Sequence, residues 1–236
     1  MRVVHGLTFA AALALIVPSL AAQGAGQAQE TSRAVAGGGI SVPGWAGKID
    51  HNPRENAGLT INDAKFAAEP GGGFHITTGP SVTYWNPANK ATGNYTVEAT
   101  FLEKEYMGLN THPHPYGIAI AGNDLNTPTM SILYCSAYGN GTFIVRGFNP
   151  APFPVNPRAE PNAAINKAAG KGSPVTQKIG VSVTADKVEC SVNGTVVGSY
   201  DKASVVGAGK LKSTDGVYGL RFGHNTEAIV TGFVKR

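Results

Sequence analysis

Apolar and polar residues alternate along most of this chain with a period of two, the spacing that turns one face of a strand toward a core and the other toward water. In NYTVEATF, Tyr95, Val97, Ala99 and Phe101 fall on one side, with Thr96, Glu98 and Thr100 on the other. In KVECSVNGTVVGSY, Val188, Cys190 and Val192 alternate with Glu189, Ser191 and Asn193. Asn193-Gly194 then supplies two residues that tolerate positive φ, as a type I′ hairpin requires. The same rhythm returns in GFHITTG, SVTYW, YGIAIAG, SILYCSAYG, GTFIVRGF, KIGVSVTA, GVYGLRFG and EAIVTGFV, which makes eleven strand candidates separated by Gly, Asn, Asp and Pro. Asn140-Gly141 and Ala185-Asp186 mark further turns. The pattern predicts an all-β fold, an antiparallel two-sheet β-sandwich or jelly roll. One segment breaks it: five prolines between Asn149 and Asn162 forbid a central strand, and a helical turn is expected over Ala163–Ala169.

Composition agrees with many short strands and turns. Only 14% of residues are charged, while Gly (31) and Pro (15) are abundant. The chain opens with MRVVHGLTFAAALALIVPSLAAQG, in which one arginine precedes an apolar run and small residues follow it. That is the pattern of a secretory signal peptide, assigned to residues 1–22. Pro18 interrupts the run well short of the roughly 20 apolar residues of a retained anchor, so export to the periplasm or the extracellular space is expected, with no membrane span after cleavage. Residues 23–40 have almost nothing to bury and read as a flexible linker, which leaves 41–236 as a single domain. The formal charge of +4, with no Lys/Arg cluster, gives no footing for nucleic acid. Cys135 and Cys190 each sit in a strand, and an exported chain permits either a disulfide between them or two buried thiols.

Candidate chemistry is sparse. Polar-ligand candidates are Trp85, Tyr116, His112, His114, Arg146, His224 and Asn225. Arg146 is out of phase with Phe143, Val145 and Gly147, so it is expected on the open sheet face with Ile144 and Phe148, or else in a cross-strand pair with Glu98. His112 and His114 in THPHPYG stand two apart and point the same way in extended backbone. A metal site would need further ligands brought in by the fold, from His75 or His224. Without them the loop reads as proline-stiffened, with exposed histidines suited to the rim of a polar site. Asn123 and Asp124 in AGNDLNTP are oxygen donors of the kind calcium takes, although turn formation also explains them. Glu103 and Glu105 could share a strand face, the arrangement a glycosidase pair would need.

NYTVEATF, HPHPYGIAIAGNDL, ILYCSAYGNGTFIVRGF, KVECSVNGTVV and the closing DGVYGLRFGHNTEAIVTGFVKR together resemble the concanavalin A-like lectin/glucanase superfamily, including laminin-G-like and bacterial 3-keto-disaccharide hydrolase-like domains. The resemblance implies the sandwich fold, a scaffold role for the 187–200 hairpin, and calcium as the possible cofactor beside a sugar. The glucanase pattern Glu-x-Asp-x-x-Glu is absent from the sequence. The resulting expectation is a secreted, noncatalytic domain that binds carbohydrate or cell-envelope glycan. The alternatives are a glycoside or keto-sugar hydrolase and a structural protein-interaction module.

Overall fold

The computed structural model describes Met1 and residues 30–236. The rest of the expected leader, and residues 23–29 of the expected linker, lie outside the described residues. An extended strap from Glu30 leads into four short strands, β1 (Gly39–Ile40), β2 (Ala46–Ile49), β3 (Lys65–Ala68) and β4 (Phe74–Thr77). Five longer strands follow: β5 (Val82–Ala91), β6 (Tyr95–Glu103), β7 (Tyr116–Asn123), β8 (Ser131–Ala137) and β9 (Thr142–Asn149). Two short ones, β10 (Ala151–Pro154) and β11 (Glu160–Pro161), precede β12 (Val175–Val183), β13 (Lys187–Val192), β14 (Thr195–Asp201), β15 (Gly216–Phe222) and β16 (Glu227–Lys235).

These strands form two sheets. The first runs β1-β3-β4-β16-β6-β12-β13-β14, and the second β10-β9-β8-β7-β15-β5-β2, with β11 pairing β9. The core lies between them: Val97, Ala99 and Phe101 of β6 and Ile179, Val181 and Val183 of β12 meet Ile118 and Ile120 of β7 and Leu220 and Phe222 of β15. In β6, β12 and β13 the alternating pattern settles with its apolar residues inward. By contrast, β7 and β8 are buried on both faces, their outer apolar residues joining Trp85, Leu125 and Met130 in a second cluster; the fold is the expected sandwich. Cys135 of β8 and Cys190 of β13 are joined by a disulfide across the core, with Cα atoms 5.9 Å apart, so of the two alternatives the bridge is the one realised.

All eleven periodic segments are strands. The five strands without a periodic signal, β1, β2, β3, β10 and β11, are two to four residues long, too short to show an alternation. The Pro-rich stretch contributes only at the sheet margin, where β10 pairs β9 alone, as its prolines demand. The expected helical turn over Ala163–Ala169 does not form. Buried Gln177 holds that segment by its main chain, accepting from Asn166 N–H at 3.1 Å and donating to Asn166 O at 2.7 Å, and Lys167 bridges to Asn140. The 187–200 hairpin turns at Asn193 (φ 51°) and Gly194 (φ 85°). Its Asn193 carboxamide accepts from Lys178 N–H at 2.8 Å and donates to Ala164 O at 2.8 Å, so the tip pins the long loop and serves as scaffold.

Residues 30–40, expected as part of a flexible linker, lie against the domain. Ser32 N–H donates to Glu55 O at 2.9 Å, Val35 N–H to Asp63 O at 3.2 Å and Gly39 N–H to Ala64 O at 2.7 Å. Composition does not reveal such a strap because backbone hydrogen bonds, which need no apolar side chain, hold it.

Candidate functional site

Two groups of side chains stand apart from the core. The first covers the outer face of the second sheet. Strand register places Lys48, Thr83, Arg221, Gly117, Ser136 and Ile144 in one row across it, and Ala46, Trp85, Gly219, Ala119, Tyr134 and Arg146 in the next. Glycines at 117 and 219 are obligatory, since a Cβ there would stand 2.0 Å from Cys135 O and 2.1 Å from Tyr84 O. They leave a low floor between taller residues.

Arg221 lies across this floor, 5% exposed. Its guanidinium donates to Asp50 through both terminal nitrogens, at 2.7 and 2.5 Å, and to Thr83 Oγ1 at 3.2 Å. It also sits 5.0 Å from the Tyr134 ring centre and 5.5 Å from that of Phe148. Burial alone would lower its pKa, but the Asp50 carboxylate outweighs that and raises it, so the charge is fixed. Arg146 projects from the same face beside Tyr134 and Tyr138, as its phase predicts, and its Nε is buried without a hydrogen-bond partner. The alternative pair with Glu98 does not form, because Glu98 belongs to the other sheet and binds Lys178 at 3.0 Å and Arg236 at 2.8 Å. Trp85 points to the outer face but is 3% exposed, packed with Leu125 and Met130 of the 123–130 loop, so its ring is not presented to a ligand.

The second group is a histidine cluster where β7 begins and β15 ends. His112 and His114 come from the loop before β7, and His224 from the turn after β15; the ligand nitrogens of the three lie within 4.8 Å of one another. Ring centres of His114 and His224 are 3.9 Å apart, and those of His112 and His114 4.3 Å. Backbone bonds fix the two loops together. Gly223 N–H donates to Pro115 O at 2.7 Å, Thr78 Oγ1 donates to Gly223 O at 2.7 Å, and Asn225 N–H donates to Gly79 O at 2.9 Å. Fold thus supplies the third histidine that spacing could not, and His114 and His224 are buried rather than exposed rim residues.

Glu30 completes this cluster. Its Oε2 lies 3.3 Å from His112 Nδ1 and 3.8 Å from His114 Nε2, and accepts from Thr111 N–H and Oγ1, each at 3.0 Å. Burial would raise Glu30, but the Thr111 bonds and the Asn225 amide hold its pKa below the usual value. Burial, with His224 and His112 adjacent, pushes His114 down to about 3, and burial also lowers His224. Both rings are therefore neutral at physiological pH, each with a lone pair to offer. Asn225 is committed to the strap: its amide accepts from Arg33 N–H at 3.0 Å and donates to Thr31 O at 3.0 Å and Glu30 Oε1 at 3.2 Å. Glu30 escaped the sequence reading because it lies in a stretch with linker composition, and Arg221 and Asp50 because their pairing spans 171 residues.

The remaining candidates are placed as follows. Tyr116 is fully buried, its ring centre 5.4 Å from that of Phe101, and belongs to the core. Asn123 donates its amide to Ala121 O and Asp215 O, at 3.1 and 3.0 Å. Asp124 occupies a turn at φ 53° and lies 3.6 Å from Lys212, so turn chemistry accounts for both residues. Glu103 is buried at the end of β6 while Glu105 is exposed, so the two do not face a common groove. Among the described residues, no helix is long and apolar enough to cross a membrane.

No protein-family model matches the sequence, and no curated protein matches it. Solved structures share the architecture. The carbohydrate-binding module CBM66 from Bacillus subtilis is 8% identical, with a TM-score of 0.52 over 84% of this chain and 99% of that one. A Bacillus subtilis protein of unknown function with a galectin-like fold is 13% identical, with a TM-score of 0.51 over 81% of this chain and 88% of that one. At these identities the likeness establishes the fold alone, a two-sheet β-sandwich of galectin-like architecture.

Proposed function

We propose that this protein is an exported glycan-binding β-sandwich whose ligand lies on the outer face of the second sheet, against Arg146, Tyr138 and Phe148. The observation that carries this reading is Arg146 Nε, buried and without a partner beside two tyrosines. Leaving such a donor unsatisfied costs on the order of 1–3 kcal/mol, which a ligand hydroxyl or carboxylate accepting from it would recover. Half-buried Tyr138 and Phe148 offer apolar ring faces to the C–H faces of a sugar, while the guanidinium reads its hydroxyls. A carbohydrate-binding module with the same sandwich supports looking for sugar on this sheet.

The reading is of binding rather than hydrolysis. No carboxylate stands in the two central rows of the face, and Asp50 at the margin is committed to Arg221, whereas glycosidic cleavage uses two carboxyl groups. Export is supported by the Cys135–Cys190 bridge, a bond that persists in oxidising compartments. The test is a glycan-array screen of the purified protein followed by calorimetry on any hit. Arg146→Ala and Tyr138→Ala should each weaken binding roughly tenfold or more, the equivalent of one lost charge-assisted hydrogen bond or stacking contact. Silence across a broad array, or binding that both variants leave intact, would overturn the assignment.

A further inference from the structure

We propose that His112, His114, His224 and Glu30 form a four-ligand site for a zinc-class divalent metal, which fastens the N-terminal strap to the end of the sandwich. Three imidazole nitrogens within 4.8 Å of one another are a donor set that needs only small side-chain rotations to converge. In a tetrahedral site with metal–ligand bonds of about 2.0–2.1 Å, ligand atoms stand about 3.3 Å apart. Glu30 Oε2 already lies 3.3 Å from His112 Nδ1 and 3.8 Å from His114 Nε2. Two of the imidazole nitrogens, that same His114 Nε2 and His224 Nδ1, are buried without a hydrogen bond, in residues 8% and 6% exposed. A buried polar atom with no partner is rare unless something unshown satisfies it.

The donor types choose the metal. Imidazole nitrogen suits zinc and its neighbours in the first transition row, whereas calcium and magnesium take oxygen. Supports around the ligands are in place before any ion arrives. Thr111 and Asn225 orient the Glu30 carboxylate, and Gly223 lets its strand approach the histidine loop, where a Cβ would stand 2.8 Å from Pro115 Cδ and 3.2 Å from His114 Cβ. With three histidines and one carboxylate filling four positions, the site is closed, which assigns it a structural role. It joins residue 30, the loop before β7 and the turn after β15, segments separated by 81 and 195 residues in the contacts Glu30 makes. This inference stands independently of the glycan reading, because it uses none of the outer-face residues.

The experiment is zinc titration of the chelator-treated, dialysed full chain by calorimetry, with metal content counted by elemental analysis and the geometry read from the visible bands of the cobalt(II) form. One zinc per chain with tetrahedral cobalt bands is expected. His112→Ala and Glu30→Gln should each weaken affinity by at least about tenfold, and His75→Ala should leave it unchanged. His112 is half exposed and lies outside the core, so its truncation removes a ligand without opening a core cavity. Arg146→Ala should bind zinc as the parent does, which separates failure of this site from failure of the glycan site. Less than one equivalent bound at micromolar zinc, or affinity that His112→Ala and Glu30→Gln both leave unaltered, would overturn the proposal.

Discussion

Replacing Glu103 by glutamine tests the account of this fold most directly. The carboxyl is 4% exposed at the end of β6, where Met107 N–H donates to Oε1 at 3.3 Å and Oε2 has no partner. Burial raises its pKa from 4.5 to about 7, against the opposing pull of the Met107 N–H and of the nearby Tyr116 hydroxyl, which itself makes no hydrogen bond of normal geometry. Burial prevails because one long hydrogen bond cannot replace the hydration of a carboxylate. The sign follows from proton uptake. Between pH 4.5 and about 7 the folded state holds the proton more tightly than the unfolded chain, so stability is greatest below 4.5, falls as pH rises through this window and is flat above it. At 1.36 kcal/mol per pH unit, the loss between the two values amounts to about 3 kcal/mol. Glutamine imitates the protonated acid and does not titrate. Glu103→Gln should therefore match the parent near pH 4.5 and exceed it by about 3 kcal/mol at pH 8. Urea unfolding of both proteins at intervals across this range measures the difference, and the contributions of all other groups cancel in the subtraction. A stability difference that stays constant with pH would refute the reasoning.

Three further outcomes follow from the same structure. The Cys135–Cys190 bridge spans 55 residues, so its removal in the double alanine variant should lower unfolding free energy by roughly 2–4 kcal/mol in denaturant melts; unchanged stability would mean the bridge constrains nothing. Arg221→Ala leaves Asp50 without its partner in a largely buried setting and should cost about 3–5 kcal/mol, whereas an exposed-pair control, Lys187→Ala opposite Asp201, should change little. Gly194→Ala meets no neighbouring atom within 4 Å, so the left-handed φ of 85° is its only penalty, expected near 1 kcal/mol by thermal unfolding; a loss several times larger would show that the turn is packed rather than merely strained.

The sequence by itself determined the sandwich and much of its detail. Period-two alternation fixes which side of β6 and β13 is buried, because a one-residue slip would invert every side chain, and Asn193-Gly194 sets the pairing beside its turn, up to the register shift between Cys190 and Ser191. Arg146 was placed on the outer face by the same reasoning. Only tertiary structure decided what depends on distance in space rather than along the chain. It covered Trp85 with the loop after β7, consumed the Asn225 amide in holding the strap, and sent Glu103 inward while Glu105 stayed in water. It also brought His224 to His112 and His114 and laid Glu30 beside them, although nothing in a linker-like stretch or in a Gly-His-Asn turn carries that information. The physical reason is that backbone preferences and side-chain alternation are local, whereas a cluster of donors is made by strands from distant parts of the chain ending at the same place.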